Sequence, residues 1–80
     1  MRDVEFVVAE AGCESCATRV RSAVASVVSV TSIAIDEDDD TARVTGRAAS
    51  DVTTEALDDL LAVASEGAGH RYHVVPGSLT

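Results

Sequence analysis

The sequence has no lysine and no tryptophan, a single proline, two cysteines, and only Phe6 and Tyr72 as aromatic residues. Six arginines stand against fourteen acidic residues, for a formal charge of -8, and a field of that sign repels nucleic acid rather than gathering it. A basic docking partner is the sharper expectation, and plain solubility through self-repulsion the blander one. No run of about 18 apolar residues is present to span a bilayer. The start, Met1-Arg2-Asp3-Val4, lacks the apolar stretch and small-residue cleavage site of a secretory signal. Direct membrane insertion is therefore not expected, and the cytoplasm is the expected location. With so few aromatics the core must be built from Val, Ala, Leu and Ile. An 80-residue chain buries only about 60% of its unfolded surface or a little more. That suits one domain over residues 1–80, with its core from about 3 to 75, and leaves little room for an enzymatic cleft.

The two cysteines form one motif, Cys13-Glu14-Ser15-Cys16. A disulfide stabilises chiefly by closing a long loop of the unfolded chain, and this spacing closes almost none, so stability is a poor reason for the pair. Two thiols this close can share one soft metal ion or form a small redox ring.

The motif lies where the hydrophobic period changes. Asp3 to Val8 alternates, with Val4, Phe6 and Val8 on one face, as a half-buried strand does. Residues 9 to 13 break the alternation and read as a loop. From Glu14 onward Ala17, Val20, Val24, Val27 and Val28 recur at helical spacing, which predicts a helix over about 14–27. Val30, Ile33 and Ile35 then mark a second strand, ended by Asp36-Glu37-Asp38-Asp39-Asp40. Five adjacent acids would lose hydration and repel one another in a packed strand, so they predict a solvated hairpin turn. They lack the spaced ligands and central glycine of an EF-hand loop.

Thr41 to Gly46 supplies a third strand, with Ala42 and Val44 facing inward. Ser50 is placed as an N-cap and Asp51 in the first turn of a second helix. The stripe of that helix is Leu57, Leu60, Leu61 and Ala64, with Glu55, Asp58 and Asp59 facing water and Gly67 and Gly69 ending it. Arg71 to Val75 is a last strand, stopped by Pro76 and Gly77, and Ser78 to Thr80 is expected to be a loose tail. The order strand, helix, strand, strand, helix, strand predicts an α+β, ferredoxin-like βαββαβ fold. Its four-stranded antiparallel sheet carries both helices on one face. That topology brings the cysteine loop near the connection holding His70.

Thiolate rather than thiol binds metal or attacks disulfides, so something must favour ionisation below a reference pKa of about 8.5. The positive end of the first helix supplies part of this, Arg19 adds to it and Glu14 opposes it. Gly12 lets the loop bend with no side chain in the way of an approaching partner. Two thiolates make a soft site suited to Cu(I), and also to Zn(II), Cd(II) or Hg(II). Zn(II) wants four ligands. Beyond the two cysteines the chain offers only His70, His73 and carboxylates, Glu10 and Glu14 among them, which favours Cu(I). Spacing alone also leaves open a redox pair or two small core residues.

The pattern resembles the heavy-metal-associated domain family of small copper chaperones, mercury-binding proteins and the N-terminal metal-binding domains of metal-transporting P-type ATPases. Its Gly-Met-X-Cys-X-X-Cys corresponds to Glu10-Ala11-Gly12-Cys13-Glu14-Ser15-Cys16. Val30 to Asp36 resembles its second strand, Thr41 to Val44 its third, and Gly69-His70 falls where Gly with an aromatic is usual. The resemblance runs from about Val4 to Val75 and implies Cys13 and Cys16 as metal ligands. It further implies a non-enzymatic metal carrier whose partner is a metal-transporting P-type ATPase or another Cys-X-X-Cys domain. A monomer is expected, with a metal-bridged dimer as the alternative. Three departures accompany it. Glu10-Ala11 replaces Gly-Met, whose Met props the loop, so a looser loop is expected. Ser29 replaces a glycine before the second strand. His70 stands where chaperones often carry Tyr or Lys, and as a third ligand it would shift the site toward three-coordinate Cu(I) or Zn(II); as a plain loop residue it would do nothing. Outside metal carriage, the competing readings are a thiol-disulfide oxidoreductase and a metal-blind interaction module that kept the fold.

Overall fold

The computed structural model describes residues 2–67 and 69–80. It contains β1 (Arg2–Ala9), α1 (Glu14–Val24), β2 (Ser29–Asp36), β3 (Thr41–Ala48), α2 (Thr54–Ser65) and β4 (His73–Val74). All strand pairs are antiparallel and the sheet order is β2-β3-β1-β4. This is the ferredoxin-like βαββαβ fold, with both helices on one face.

The alternation read along β1 is what the sheet uses. Phe6 and Val8 are fully buried, opposite Val44 and Ala42 of β3. The helices close over them with Cys16, Ala17, Val20 and Val24 from α1 and Leu57 and Leu61 from α2. Leu60 and Ala64, expected in the same stripe, are only half-buried. On the uncovered face charged residues stand among the alternate positions, and Arg43–Glu5 and Arg47–Asp3 pair across β1 and β3 at 2.8 and 3.2 Å. β3 runs to Ala48, beyond the expected Gly46, because its last two residues pair with Asp3 and Arg2 at the start of β1.

Several boundaries differ from expectation. The first helix stops at Val24, not near 27, because the amides of Val27 and Val28 both donate to the Val24 carbonyl, at 3.0 and 2.8 Å. That tight turn swings Val28 into the core and leaves Val27 37% exposed. The second helix is capped by Thr53, whose hydroxyl accepts from the Ala56 amide at 3.1 Å. Ser50 is not its N-cap, and Asp51 lies outside the helix, paired with Arg2 of β1. Asp58 does not simply face water, for its Oδ1 accepts from the Val74 amide at 2.7 Å.

The tail is not loose. Glu5 and Thr80 exchange backbone hydrogen bonds of 3.2 and 2.9 Å, Ser78 Oγ accepts from the Val7 amide at 3.1 Å, and Leu79 packs against the core. β1 had unpaired edge groups beyond the two-residue β4, and the tail satisfies them.

Among the described residues no helix is long and apolar enough to cross a membrane.

Candidate metal centre

Chain direction alternates through the fold, so the β1–α1 loop, the β2–β3 hairpin and the α2–β4 connection emerge at one end of the sheet. Cys13 and Cys16 come from the first of these and His70 from the third. The candidate ligand atoms of these three residues all lie within 4.8 Å of one another. His73 is outside the group: it is exposed in β4, and its Nδ1 lies 3.1 Å from the Arg71 carbonyl. Glu10 and Glu14 are outside it too. Glu10 Oε1 faces the Arg71 amide at 3.4 Å, and Glu14 is exposed.

The cysteines differ in role. Cys13 is the N-cap of α1, with extended backbone, and its sulfur accepts from the Cys16 amide at 3.2 Å. Its sulfur also lies 3.5 Å from Ser15 Oγ, and its carbonyl accepts from Ala17 at 2.9 Å. The sulfur thereby takes the place of a capping oxygen and satisfies one of the amides left open at a helix start. Cys16, one turn on, points into the core and is 1% exposed, whereas Cys13 is half-buried. The structure joins the two as a disulfide, with Cα atoms 5.1 Å apart. Metal ligation requires thiolates, so the metal-competent form is the reduced one.

His70 is exposed and stacks on Tyr72, with ring centroids 5.9 Å apart and planes 8° from parallel. Tyr72 is buried, and its amide donates to Ser65 Oγ at 2.9 Å. The stack holds one imidazole face against the protein beside the cysteine pair.

The loop before Cys13 is held by a residue that sequence reasoning assigned only to a solvated turn. Asp36 Oδ1 accepts from the amides of Asp38 and Asp39 at 3.1 and 3.2 Å, which closes the hairpin and leaves Glu37, Asp38 and Asp39 exposed as expected. Asp40 turns the other way. Its carbonyl accepts from Ala11 at 3.1 Å and its Oδ1 from Gly12 at 3.0 Å. Gly12 is small because of this contact rather than for access by a partner: a Cβ there would stand 2.6 Å from the Asp40 Cα. Ala11, in place of the family's Met, is fully buried. The loop is thus anchored by the hairpin. Twenty-eight residues separate Gly12 from Asp40, and no local pattern announces the contact.

A ferredoxin-like fold carrying a Cys-X-X-Cys at the strand-to-helix junction defines a soft-metal-binding module. The sequence model of the heavy-metal-associated domain matches residues 5–64, and the chain belongs to that family. Members of this family bind metal and are not enzymes. The match ends before His70. Among solved structures, one described as concerning crosstalk between Cu(I) and Zn(II) homeostasis is 23% identical, with a TM-score of 0.55, over 94% of this chain and 100% of its own. Oxidized MerP from Ralstonia metallidurans CH34 is 19% identical, with a TM-score of 0.55, over 91% of this chain and 97% of its own. At these identities the likeness establishes the fold. No curated protein sequence matches this one.

Proposed function

We propose that the domain takes up Cu(I) through the reduced Cys13 and Cys16 and passes it to another Cys-X-X-Cys domain, either free or part of a metal-transporting P-type ATPase. The observation that carries this reading is the donor set: two sulfurs and one imidazole within 4.8 Å. Cu(I) is satisfied by two or three soft ligands, whereas a closed zinc site takes four. The difference in burial suggests an order for transfer. A partner thiolate enters at the accessible Cys13 side while Cys16 keeps hold, and His70 fills a third position as the ion changes hands. The thiols stay reduced in the cytosol, where we place this exchange. The acidic surface favours a basic partner face.

The disulfide favours one competing reading, a thiol-disulfide oxidoreductase. Against it, thioredoxin-like folds surround the motif with a parallel βαβ unit, and here every strand pair is antiparallel.

Competition of the reduced protein against chelators for Cu(I) and Zn(II) tests the proposal. Cys13→Ser and Cys16→Ser are each expected to weaken Cu(I) capture by more than about a hundredfold, beyond the roughly 10–100-fold of an outer-shell change. His70→Ala is expected to cost less than about tenfold for Cu(I) and more for Zn(II), which has fewer ligands to spare. Native-like Cu(I) capture by either serine variant removes the assignment.

A further inference from the structure

The acidic hairpin is the feature of the sequence that soft-metal chemistry leaves unused, and its last residue behaves unlike the others. Glu37, Asp38, Asp39 and Asp40 are all exposed, but Asp40 also grips two successive amides of the metal loop, Ala11 through its carbonyl and Gly12 through its carboxylate. The next residue is Cys13, whose sulfur is aimed by the backbone dihedrals on either side of it. The close approach at Gly12 leaves no slack, since even a methyl group would meet the Asp40 backbone. Asp40 itself has φ 56°, a left-handed conformation that Asp and Asn tolerate better than other side-chain-bearing residues.

We infer that Asp40 is a positioning residue for the metal centre: its carboxylate, through the Gly12 amide, fixes the loop so that the Cys13 sulfur faces Cys16 when both are reduced. The inference rests on Cys13 and Cys16 being the ligands. In this chain the hairpin supplies from outside the loop the support that the small Ala11 side chain cannot supply from within. The contribution is geometric and works against charge, because a carboxylate near a dithiolate repels it. Geometry and charge therefore make opposite predictions for removal of the side chain, whereas an amide in place of the carboxylate keeps the support and lifts the repulsion.

Asp40→Gly removes the acceptor while accepting φ 56° without strain. Asp40→Asn keeps both an acceptor oxygen and a tolerance of that φ, and removes the charge. Cu(I) affinity of the reduced, folded proteins is measured by chelator competition, and exchange of the Gly12 amide by NMR without metal. We expect Asp40→Gly to weaken Cu(I) binding by about tenfold, the lower end for an outer-shell partner, and to speed Gly12 exchange. Asp40→Asn is expected to bind at least as tightly as the native protein and to keep Gly12 protected. Native-like affinity and protection in Asp40→Gly overturn the inference, as does an Asp40→Asn variant as weak as Asp40→Gly. Cys13→Ser, measured alongside, separates the two levels: its unimpaired binding sinks the ligand assignment, whereas its failure beside a native-like Asp40→Gly sinks only the role of Asp40.

Discussion

At the scale of single residues, the metal loop carries one conformation that its sequence does not favour. Glu10 has φ 59°, at the position where the family has glycine. For a residue with a Cβ, the left-handed region costs roughly 1–2 kcal/mol, and a weak 3.4 Å contact from the Arg71 amide to the Glu10 carboxylate offsets little of it. Replacing Glu10 by glycine relieves that strain but gives the unfolded chain more freedom, about 0.5–1 kcal/mol. The strain term is the larger, so Glu10→Gly is expected to stabilise the reduced protein by about 0.5–1 kcal/mol. In a domain of this size that is a rise in melting temperature of several degrees, roughly 4–8 °C per kcal/mol. A fall on thermal unfolding would show that Glu10 makes contacts outweighing its backbone. The resemblance to the family made this substitution visible in the sequence, but not its conformation. Gly12 was legible as a glycine that the loop needs. The reason was not, because it lies in a hairpin far along the chain.

Secondary structure was legible wherever a residue's neighbours in sequence decide its fate. The change of period at Glu14 marked the strand-to-helix junction, and the acid run marked a turn, since adjacent acids lose hydration in a packed strand. Boundaries were lost where distant partners decide. Thr53 rather than Ser50 caps α2 while Asp51 is drawn to Arg2, and the tail is ordered by unpaired groups of β1. β4 is the sharpest case. Only His73 and Val74 are strand. The Val75 amide donates to Val7 of β1 at 2.8 Å, so the Val74 amide points toward the open edge, where Asp58 of α2 receives it at 2.7 Å. A helix side chain thus closes a sheet edge that would otherwise invite another strand. Leaving a buried donor unpaired costs about 1–3 kcal/mol, and Val74 is 2% exposed. Asp58→Ala is expected to lower the urea-unfolding free energy by that amount, with Asp58→Asn recovering most of it. An alanine variant as stable as the native protein would mean the Val74 amide finds another acceptor.

Across the whole molecule, charge acts in two opposed ways. The net charge of -8 is carried on a body with a radius of gyration of 11.1 Å, comparable to the Debye length of about 10 Å in 0.1 M salt. At low ionic strength nearly every acid therefore feels the others. The ion pairs Arg43–Glu5 and Arg47–Asp3 are exposed, and such pairs contribute about 0–1 kcal/mol each. Screening removes little by weakening them, and it relieves the repulsion of the unbalanced acids. Melting temperature is accordingly expected to rise as sodium chloride is raised from about 0.05 to 1 M, over which the Debye length falls to about 3 Å. Glu37→Gln, Asp38→Asn and Asp39→Asn together should blunt the rise, since these side chains are exposed and adjacent. If the domain passes Cu(I) to a basic partner as proposed, that transfer should respond in the opposite sense. An encounter with a basic partner is accelerated by this same field, so the second-order rate of Cu(I) transfer to such a domain should fall over the same salt range, and the triple variant, its net charge cut from -8 to -5, should show a weaker dependence. Salt that lowers the melting temperature would show the ion pairs to outweigh the repulsion. A transfer rate indifferent to salt would mean that the acidic surface sets solubility and not the choice of partner.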